Sequence, residues 1–169
     1  MTPDKAAADT RLKIWNQKRK IPSKSFGWCG WYKKWYFRSI LELSFVTEYL
    51  EPLNLGWQTG EDPKFAIPYV DKKYVTRNYF PDFFILDRKM LVECKPQSQH
   101  GQELVQIKKK AAQEFCRRKG YKYVTIDPTI ISEEKLRKLH DTKLVKFSPE
   151  TELKYKAKYE KVSSSKLIF

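Results

Sequence analysis

The sequence predicts an α/β fold in which helices flank a central mixed β-sheet. The chain has 169 residues, enough for one domain with a sizeable core, and 41% of them are hydrophobic. A helical pattern at 38–50 is followed by strand patterns between 64 and 95, then by a second helical pattern and a strand pattern at 121–126. This order favours an antiparallel meander that leads into a helix and a further strand.

The first helix is predicted by apolar residues that recur at helical spacing until Pro52, where proline ends the pattern. These residues are Ile40, Leu41, Phe45, Val46, Tyr49 and Leu50. Short strands are predicted next at 64–70 and 73–77, and a pair of strands within 81–95. Together they form the meander.

The second helix is predicted over 104–119, where apolar residues share one face and Gly120 ends the helix. A strand at 121–126 and a helix that Ser132 caps are expected to follow. Weaker patterns predict a basic helix at 10–20, an edge strand at 143–147 and a lysine-rich helix or tail at 150–161.

Residues 26–37 form a run with seven aromatic side chains in twelve positions. Such a run can stack on bases while its lysines contact phosphates. Large aromatic side chains more often lie inside a fold. We expect this run to join the core and to leave one or two rings exposed.

The charge of the chain is unevenly distributed. Its 34 Lys and Arg exceed its 20 Asp and Glu, which gives +14 overall. Residues 1–37 carry nine basic and two acidic side chains, 38–100 carry eight and nine, and 101–169 carry seventeen and nine. Basic flanks around a carboxylate-rich middle are expected if the flanks bind a polyanion. We therefore expect nucleic acid as the partner, ahead of an anionic membrane or a role in solubility alone.

Several classes of protein are disfavoured. No apolar run approaches the roughly 20 residues that span a bilayer, and charges throughout residues 1–20 argue against a signal peptide. The three cysteines lack zinc-type spacing, which argues against a disulfide framework or structural zinc. We expect a cytoplasmic protein without membrane contact.

The residues suited to chemistry lie at the ends of two neighbouring strands. Pro81-Asp82 begins one strand and Glu93-Cys94-Lys95 ends the next. Alternation places Glu93 and Lys95 on one side and Cys94 on the other, and pairing of the strands brings Asp82 alongside. Adjacent carboxylates repel unless a cation lies between them, and Mg²⁺ takes such oxygen ligands. With Lys95 to orient the nucleophile or neutralise the transition state, this set outlines a phosphodiesterase.

A further carboxylate, Glu42, lies on the helix before the meander. The alternative for each residue is a surface ion pair worth roughly 0–1 kcal/mol. A set of Glu42, Asp82, Glu93 and Lys95 in the segment without a positive excess favours the catalytic interpretation.

Basic side chains around this set are candidates for contacts with nucleic acid. Two interleave with the aromatic run, one precedes Glu42 by a helical turn, and the others lie on the second helix, where a purely solvated face is equally expected. The candidates are Lys33, Lys34, Arg38, Lys108, Lys109 and Arg117.

The combination of FRSILE at 37–42, YFPDF at 79–83 and LVECK at 91–95 resembles the PD-(D/E)XK nuclease superfamily. FRSILE is most similar to the phage endonuclease I group of junction-resolving enzymes. The nuclease subunit of cut-and-paste transposons also has a helix glutamate, a PDF-type strand and an ending like Glu93-Cys94-Lys95-Pro96.

The resemblance implies a restriction-endonuclease-like core over residues 38–130. A basic aromatic extension at 1–37 and a basic C-terminal segment at 131–169 would flank this nuclease core. Neither flank aligns with the family pattern.

The resemblance also implies a role for each site residue. Asp82 and Glu93 would hold Mg²⁺, for which Mn²⁺ would substitute, and the carbonyl oxygen of Cys94 would be a further ligand. Glu42 would support the metal directly or through water, and Lys95 would be the catalytic lysine.

We therefore predict a metal-dependent DNA endonuclease of phage or mobile-element DNA processing. Three substrates remain possible for this enzyme: branched junctions, a specific duplex site and the ends of a mobile element. Cutting of two strands would fit a homodimer, and the apolar end SSSKLIF would dock on a protein partner or pack back. The alternative is a non-catalytic nucleic-acid-binding or assembly protein that keeps the fold, and an RNA nuclease is a weaker candidate.

Overall fold

A computed structural model describes residues 27–164, with side chains up to residue 159. In chain order the strands are β1 (Gly30–Tyr32), β2 (Trp35–Phe37), β3 (Trp57–Thr59), β4 (Ile67–Val70), β5 (Thr76–Tyr79), β6 (Phe83–Ile85), β7 (Met90–Cys94), β8 (Lys122–Ile126) and β9 (Val145–Phe147). The helices are α1 (Ile40–Phe45), α2 (Glu103–Lys119), α3 (Glu133–Asp141) and α4 (Pro149–Ser164).

The central sheet is mixed and has the strand order β3-β6-β7-β8. β6 pairs antiparallel with β3 and β7, whereas β7 pairs parallel with β8. The parallel pair is joined through α2, because parallel neighbours need a long crossover. Helices therefore flank a mixed sheet, and the predicted fold class is confirmed.

Both faces of the central sheet are buried. Successive side chains of a strand point to opposite sides, so each strand contributes residues to two cores. Phe83 and Val92 lie in one core with side chains from α1, β2 and β9. Phe84 and Leu91 lie in a second core with side chains from α2 and β4. Packing on both sides thus fixes the start of β6 and the end of β7, where the predicted catalytic residues lie.

The aromatic run at the start of the described chain forms the β1–β2 hairpin, and most of it goes into the core. Trp35 and Phe37 are buried, and the Trp35 ring meets that of Trp57 edge to face at 5.4 Å. Trp31 is partly exposed. β1 also pairs antiparallel with β9, which gives a three-stranded sheet. The segment boundaries after residues 37 and 130 remain a proposal.

The helix expected over 38–50 is present as α1, which continues as a π-helical turn over Val46–Leu50. The helices expected after residue 103 and after Ser132 are also present, and Gly120 ends α2 in a left-handed conformation. The pair of strands within 81–95 is confirmed as β6 and β7. The strand expected at 143–147 is confirmed as β9.

Strand boundaries differ most around residues 62–77. Asp62 caps a short 3₁₀ turn over Pro63–Phe65, so the strand expected from residue 64 begins at Ile67. The strand expected at 73–77 begins instead at Thr76, because the Asp71 side chain accepts hydrogen bonds from the backbone of the following turn.

The basic helix expected at 10–20 and the apolar end at 165–169 lie outside the described residues. Between residues 27 and 164, no helix has both the length and the apolar character to cross a bilayer.

Gly60 is required where the chain passes the start of β6. Its N–H donates to the Asp82 carbonyl oxygen at 2.9 Å, and a Cβ there would lie 2.7 Å from the Pro81 carbonyl carbon. We predict that Gly60→Ala lowers the free energy of unfolding by about 2–3 kcal/mol through overpacking. The midpoint of thermal unfolding would fall by roughly 5–10 °C.

The matched control is Gly101→Ala, because a Cβ at Gly101 has no neighbour within 4 Å. Thermal unfolding followed by circular dichroism compares the two variants. Equal stability of both would contradict the close approach at Gly60.

Candidate active site

An open cleft of about 600 Å³ lies beside the N-terminal end of α1, the start of β6 and the end of β7. Charged side chains from separate parts of the chain line it. We call it the carboxylate cleft, and its charged residues are Arg38, Glu42, Glu61, Asp82, Glu93, Lys95 and Lys108. It therefore brings together all four predicted catalytic residues.

Asp82 lies next to Glu93 because of the register between β6 and β7. Phe83 is opposite Val92, and the Asp82 N–H donates to the Val92 carbonyl oxygen at 3.0 Å. The Asp82 side chain is only 6% exposed, and its Oδ2 accepts a hydrogen bond from the Cys94 N–H at 2.8 Å. A buried carboxylate held by one backbone donor is fixed in direction.

Glu93 and Lys95 leave β7 on the same side, as strand alternation requires. Lys95 Nζ lies 3.3 Å from Glu93 Oε1, and the side chain of Cys94 is buried on the opposite face. Side-chain exposure is 12% for Glu93 and 30% for Lys95, so the pair faces the cleft and is shielded more than a surface pair.

A pair of tyrosines lies on the other side of Glu93, and one of the two contacts it directly. The Tyr79 hydroxyl donates to Glu93 Oε2 at 2.7 Å and lies 3.0 Å from the Tyr123 hydroxyl. Burial, followed by the charge of Glu93, raises the pKa of Tyr79 well above its ordinary value. Burial also raises the pKa of Tyr123 to about 12. Tyr79 therefore keeps its proton and stays a donor to the carboxylate.

Glu42 occupies the first turn of α1, where Ser39 caps the helix by accepting a hydrogen bond from the Glu42 N–H. Glu42 Oε2 accepts in turn from the Arg38 N–H at 3.1 Å. This arrangement is close to a capping box, so Glu42 contributes to the helix start as well as to the cleft.

Glu61 is a cleft carboxylate that the sequence analysis did not single out. It is 1% exposed and forms an ion pair with the Arg38 guanidinium. Arg38, a predicted nucleic-acid contact, is thereby held in the cleft wall.

The oxygen donors at the strand ends suit a hard divalent cation. Asp82 and Glu93 supply carboxylate oxygens, and Cys94, which also lines the cleft, has a backbone carbonyl. No three His, Cys, Asp or Glu side chains within residues 27–159 are grouped closely enough to form a complete metal site. The donors present fit Mg²⁺, which is bound by one or two carboxylates and keeps several waters.

The other predicted nucleic-acid contacts lie in different places. Lys108 lines the cleft from α2, whereas Arg117, near the far end of that helix, pairs with Glu114 at 2.8 Å. Lys33 pairs with Glu51 at 2.7 Å. Lys34 is exposed in the β1–β2 turn, and Lys109 is partly exposed outside the cleft lining.

The mixed sheet, the Pro-Asp start of β6 and the Glu-X-Lys end of β7 are similar to the core pattern of the PD-(D/E)XK nucleases. Residues 57–128 match a family of proteins described as TnsA-like endonuclease N terminal. The match confirms the resemblance to the nuclease subunit of cut-and-paste transposons. It runs from β3 to just past β8 and includes Asp82, Glu93 and Lys95, whereas Glu42 lies before it.

No curated protein and no solved structure gives a significant match to the chain.

The tyrosine pair predicts how stability depends on pH. Because folding raises the pKa of Tyr79 and Tyr123, the folded state keeps protons that the unfolded chain loses. The free energy of unfolding therefore falls as the pH rises above about 10. Tyr123→Phe removes one such proton, so its fall in Tm between about pH 10 and about pH 11.5 is shallower.

Tyr74→Phe serves as the control, since the Tyr74 ring is exposed. Melting curves measured across this pH range compare each variant with the parent protein. Parallel curves for all three proteins would contradict the shared burial of the two hydroxyls.

Proposed function

We propose that this protein is a Mg²⁺-dependent DNA endonuclease that hydrolyses phosphodiester bonds in transposition. The observation that carries the proposal is the juxtaposition of Asp82, Glu93 and Lys95 in one open cleft, with Lys95 Nζ 3.3 Å from Glu93. The family match over residues 57–128 supports DNA cleavage as the chemistry.

Asp82 and Glu93 are the proposed metal-holding residues, together with the Cys94 carbonyl oxygen. Glu42 supports the site from α1, directly or through water. A divalent ion bound there supplies an activated water and offsets the charge that builds on the phosphate. Mn²⁺ has similar oxygen preferences and is the proposed substitute.

Lys95 is the proposed catalytic lysine. Its ammonium group lies beside Glu93 at the mouth of the cleft, where it can contact a scissile phosphate and stabilise negative charge. Tyr79 holds the second oxygen of Glu93, so that carboxylate is oriented before DNA arrives.

Arg38 and Lys108 are the proposed phosphate contacts nearest the cut, because both line the cleft. The remaining basic candidates, Lys33, Lys34, Lys109 and Arg117, would contact DNA farther away. The net charge of +14 favours binding to a polyanion.

Among the substrates left open by the sequence, the family match favours the ends of a mobile element. Cutting of both strands there would use two copies of the chain.

Asp82→Asn and Glu93→Gln should each reduce DNA cleavage by at least about 100-fold, because each removes a charge from the proposed metal site. DNA binding should stay within about twofold, since neither residue is a cationic phosphate contact. The assay follows nicking and linearisation of supercoiled plasmid in Mg²⁺, and binding to the same DNA is measured in Ca²⁺.

Glu134→Gln is the matched control, because Glu134 is an exposed carboxylate on α3, outside the cleft lining. It should cut like the parent protein. Full cleavage by both Asp82→Asn and Glu93→Gln would contradict the proposal, and tight binding without cleavage by the parent would favour the non-catalytic alternative.

Mg²⁺ itself should stabilise the folded protein. At about 100 times its dissociation constant, a bound ion adds about 2.7 kcal/mol, which raises Tm by roughly 5–10 °C. Differential scanning calorimetry without DNA should show this rise for the parent protein and for Glu134→Gln. EDTA should abolish it. An equal rise in Asp82→Asn and Glu93→Gln would place the ion elsewhere.

A further inference from the structure

The β4–β5 hairpin stands apart from both larger sheets. Its strands pair antiparallel with each other, from Ile67 opposite Tyr79 to Val70 opposite Thr76, and with no other strand in the described part of the chain. Ile67, Tyr69 and Tyr79 are buried in the core beside α2. The hairpin is therefore anchored at one end and projects at the other. We call it the β4–β5 ribbon.

The tip of this ribbon presents one aromatic ring to solvent. Tyr74 is 92% exposed and has a φ of 58°, a left-handed conformation that is uncommon for a bulky residue. Its N–H donates to the Asp71 carbonyl oxygen at 3.0 Å. Asp71 Oδ1 also accepts from the Lys73 and Val75 N–H groups at 2.8 and 3.0 Å. The turn thus holds the backbone of Tyr74 in a strained conformation at the tip of the ribbon.

The chemistry of the tip fits DNA. An exposed tyrosine ring can stack on an unpaired base, and every unpaired base offers such a face. Three basic residues, Lys72, Lys73 and Arg77, lie within three positions of Tyr74 in the sequence. Lys72 pairs with Glu103 and Arg77 pairs with Asp71, so Lys73 makes the main contribution of positive charge at the tip. A two-stranded ribbon also has dimensions that the major groove of DNA admits.

The ribbon leads directly into the carboxylate cleft. β5 ends at Tyr79, whose hydroxyl donates to Glu93 Oε2 at 2.7 Å. Lys108, which lines the cleft, lies 5.5 and 5.4 Å from the ring centres of Tyr69 and Tyr79. Tyr74 lies before β5, in the turn that Asp71 holds, so its ring is at the end of the ribbon away from Tyr79.

We infer that the β4–β5 ribbon is a second DNA-contacting element and that Tyr74 stacks on an unpaired base near the cut phosphate. The inference rests on the proposed function for the place of the cut. Lys73 contacts a phosphate beside that base. The ribbon thereby sets where along the DNA the cleft engages the backbone.

The test compares Tyr74→Ala with Tyr74→Phe, because phenylalanine keeps the stacking face and alanine removes it. Both variants are made in the Asp82→Asn protein, so that binding is measured without cleavage. The probe is a fluorescein-labelled duplex of about 30 base pairs, roughly three helical turns, with a short single-stranded gap that leaves bases unpaired. Fluorescence anisotropy gives the affinity at several salt concentrations.

Tyr74→Ala should weaken binding about tenfold, within the range measured for loss of one stacked base, and Tyr74→Phe should bind within about twofold of its parent. The salt dependence should stay the same in both. Lys73→Ala should instead lower the slope of log affinity against log salt by about 1, as expected for one lost phosphate contact. Tm values confirm that all variants are folded, because Tyr74 and Lys73 are exposed.

Equal affinity of Tyr74→Ala and Tyr74→Phe would overturn the inference, and so would failure of the Asp82→Asn protein to bind the duplex. The plasmid assay tests the nuclease proposal separately. If Asp82→Asn and Glu93→Gln still cut while Tyr74→Ala loses binding, the proposed active site fails and the ribbon contact stands.

Discussion

The antiparallel pairing of β6 with β7 is the constraint on which the site depends. The register places Phe83 opposite Val92 and thereby sets Asp82 beside Glu93. The same alternation sends Phe83 into one core and Phe84 into the other. A slip of one residue would exchange the two faces of a strand, which burial on both sides forbids. Apolar packing therefore fixes the relative position of the two carboxylates.

Each carboxylate of the cleft is held by a different kind of donor. Asp82 accepts from a backbone N–H, Glu93 from a tyrosine hydroxyl with a lysine at its other oxygen, and Glu42 from the N–H that precedes its helix. Lys95, Lys108 and Arg38 supply positive charge in the same cleft. Directed carboxylates with nearby cations match the demands of phosphodiester chemistry, where an anionic substrate must approach anionic ligands.

Alternation and helical spacing made much of this fold predictable from the sequence. The order of β6, β7, α2 and β8 follows from patterns long enough to show their period, and the side shared by Glu93 and Lys95 follows from strand geometry alone. β1, β2 and β3 have three residues each, too few for a period to be visible. The sequence therefore predicts that the aromatic run joins the core, but it does not predict the two strands β1 and β2.

The site residues that the sequence did not reveal act through distant contacts. Tyr79 contacts Tyr123 across 44 positions of the chain, and no local motif marks Tyr79 as the donor to Glu93. Glu61 is recognised as a cleft residue only from the structure, where it forms an ion pair with Arg38. Glu42 was found through its motif, but its place in the helix start depends on the geometry of Ser39. The functional roles of the whole set remain predictions.

The pairing of β1 with β9 bears on the order of events during synthesis. Gly30 lies opposite Phe147, so strands from the two ends of the described chain close the same core that covers Phe83 and Val92. Such a contact forms late, because the intervening segment must first be made and the loop closed. A nascent chain that has already produced its Asp82 and Glu93 therefore still lacks part of the packing that holds them. The cleft therefore acquires its final shape only after β9 has been made and has paired with β1.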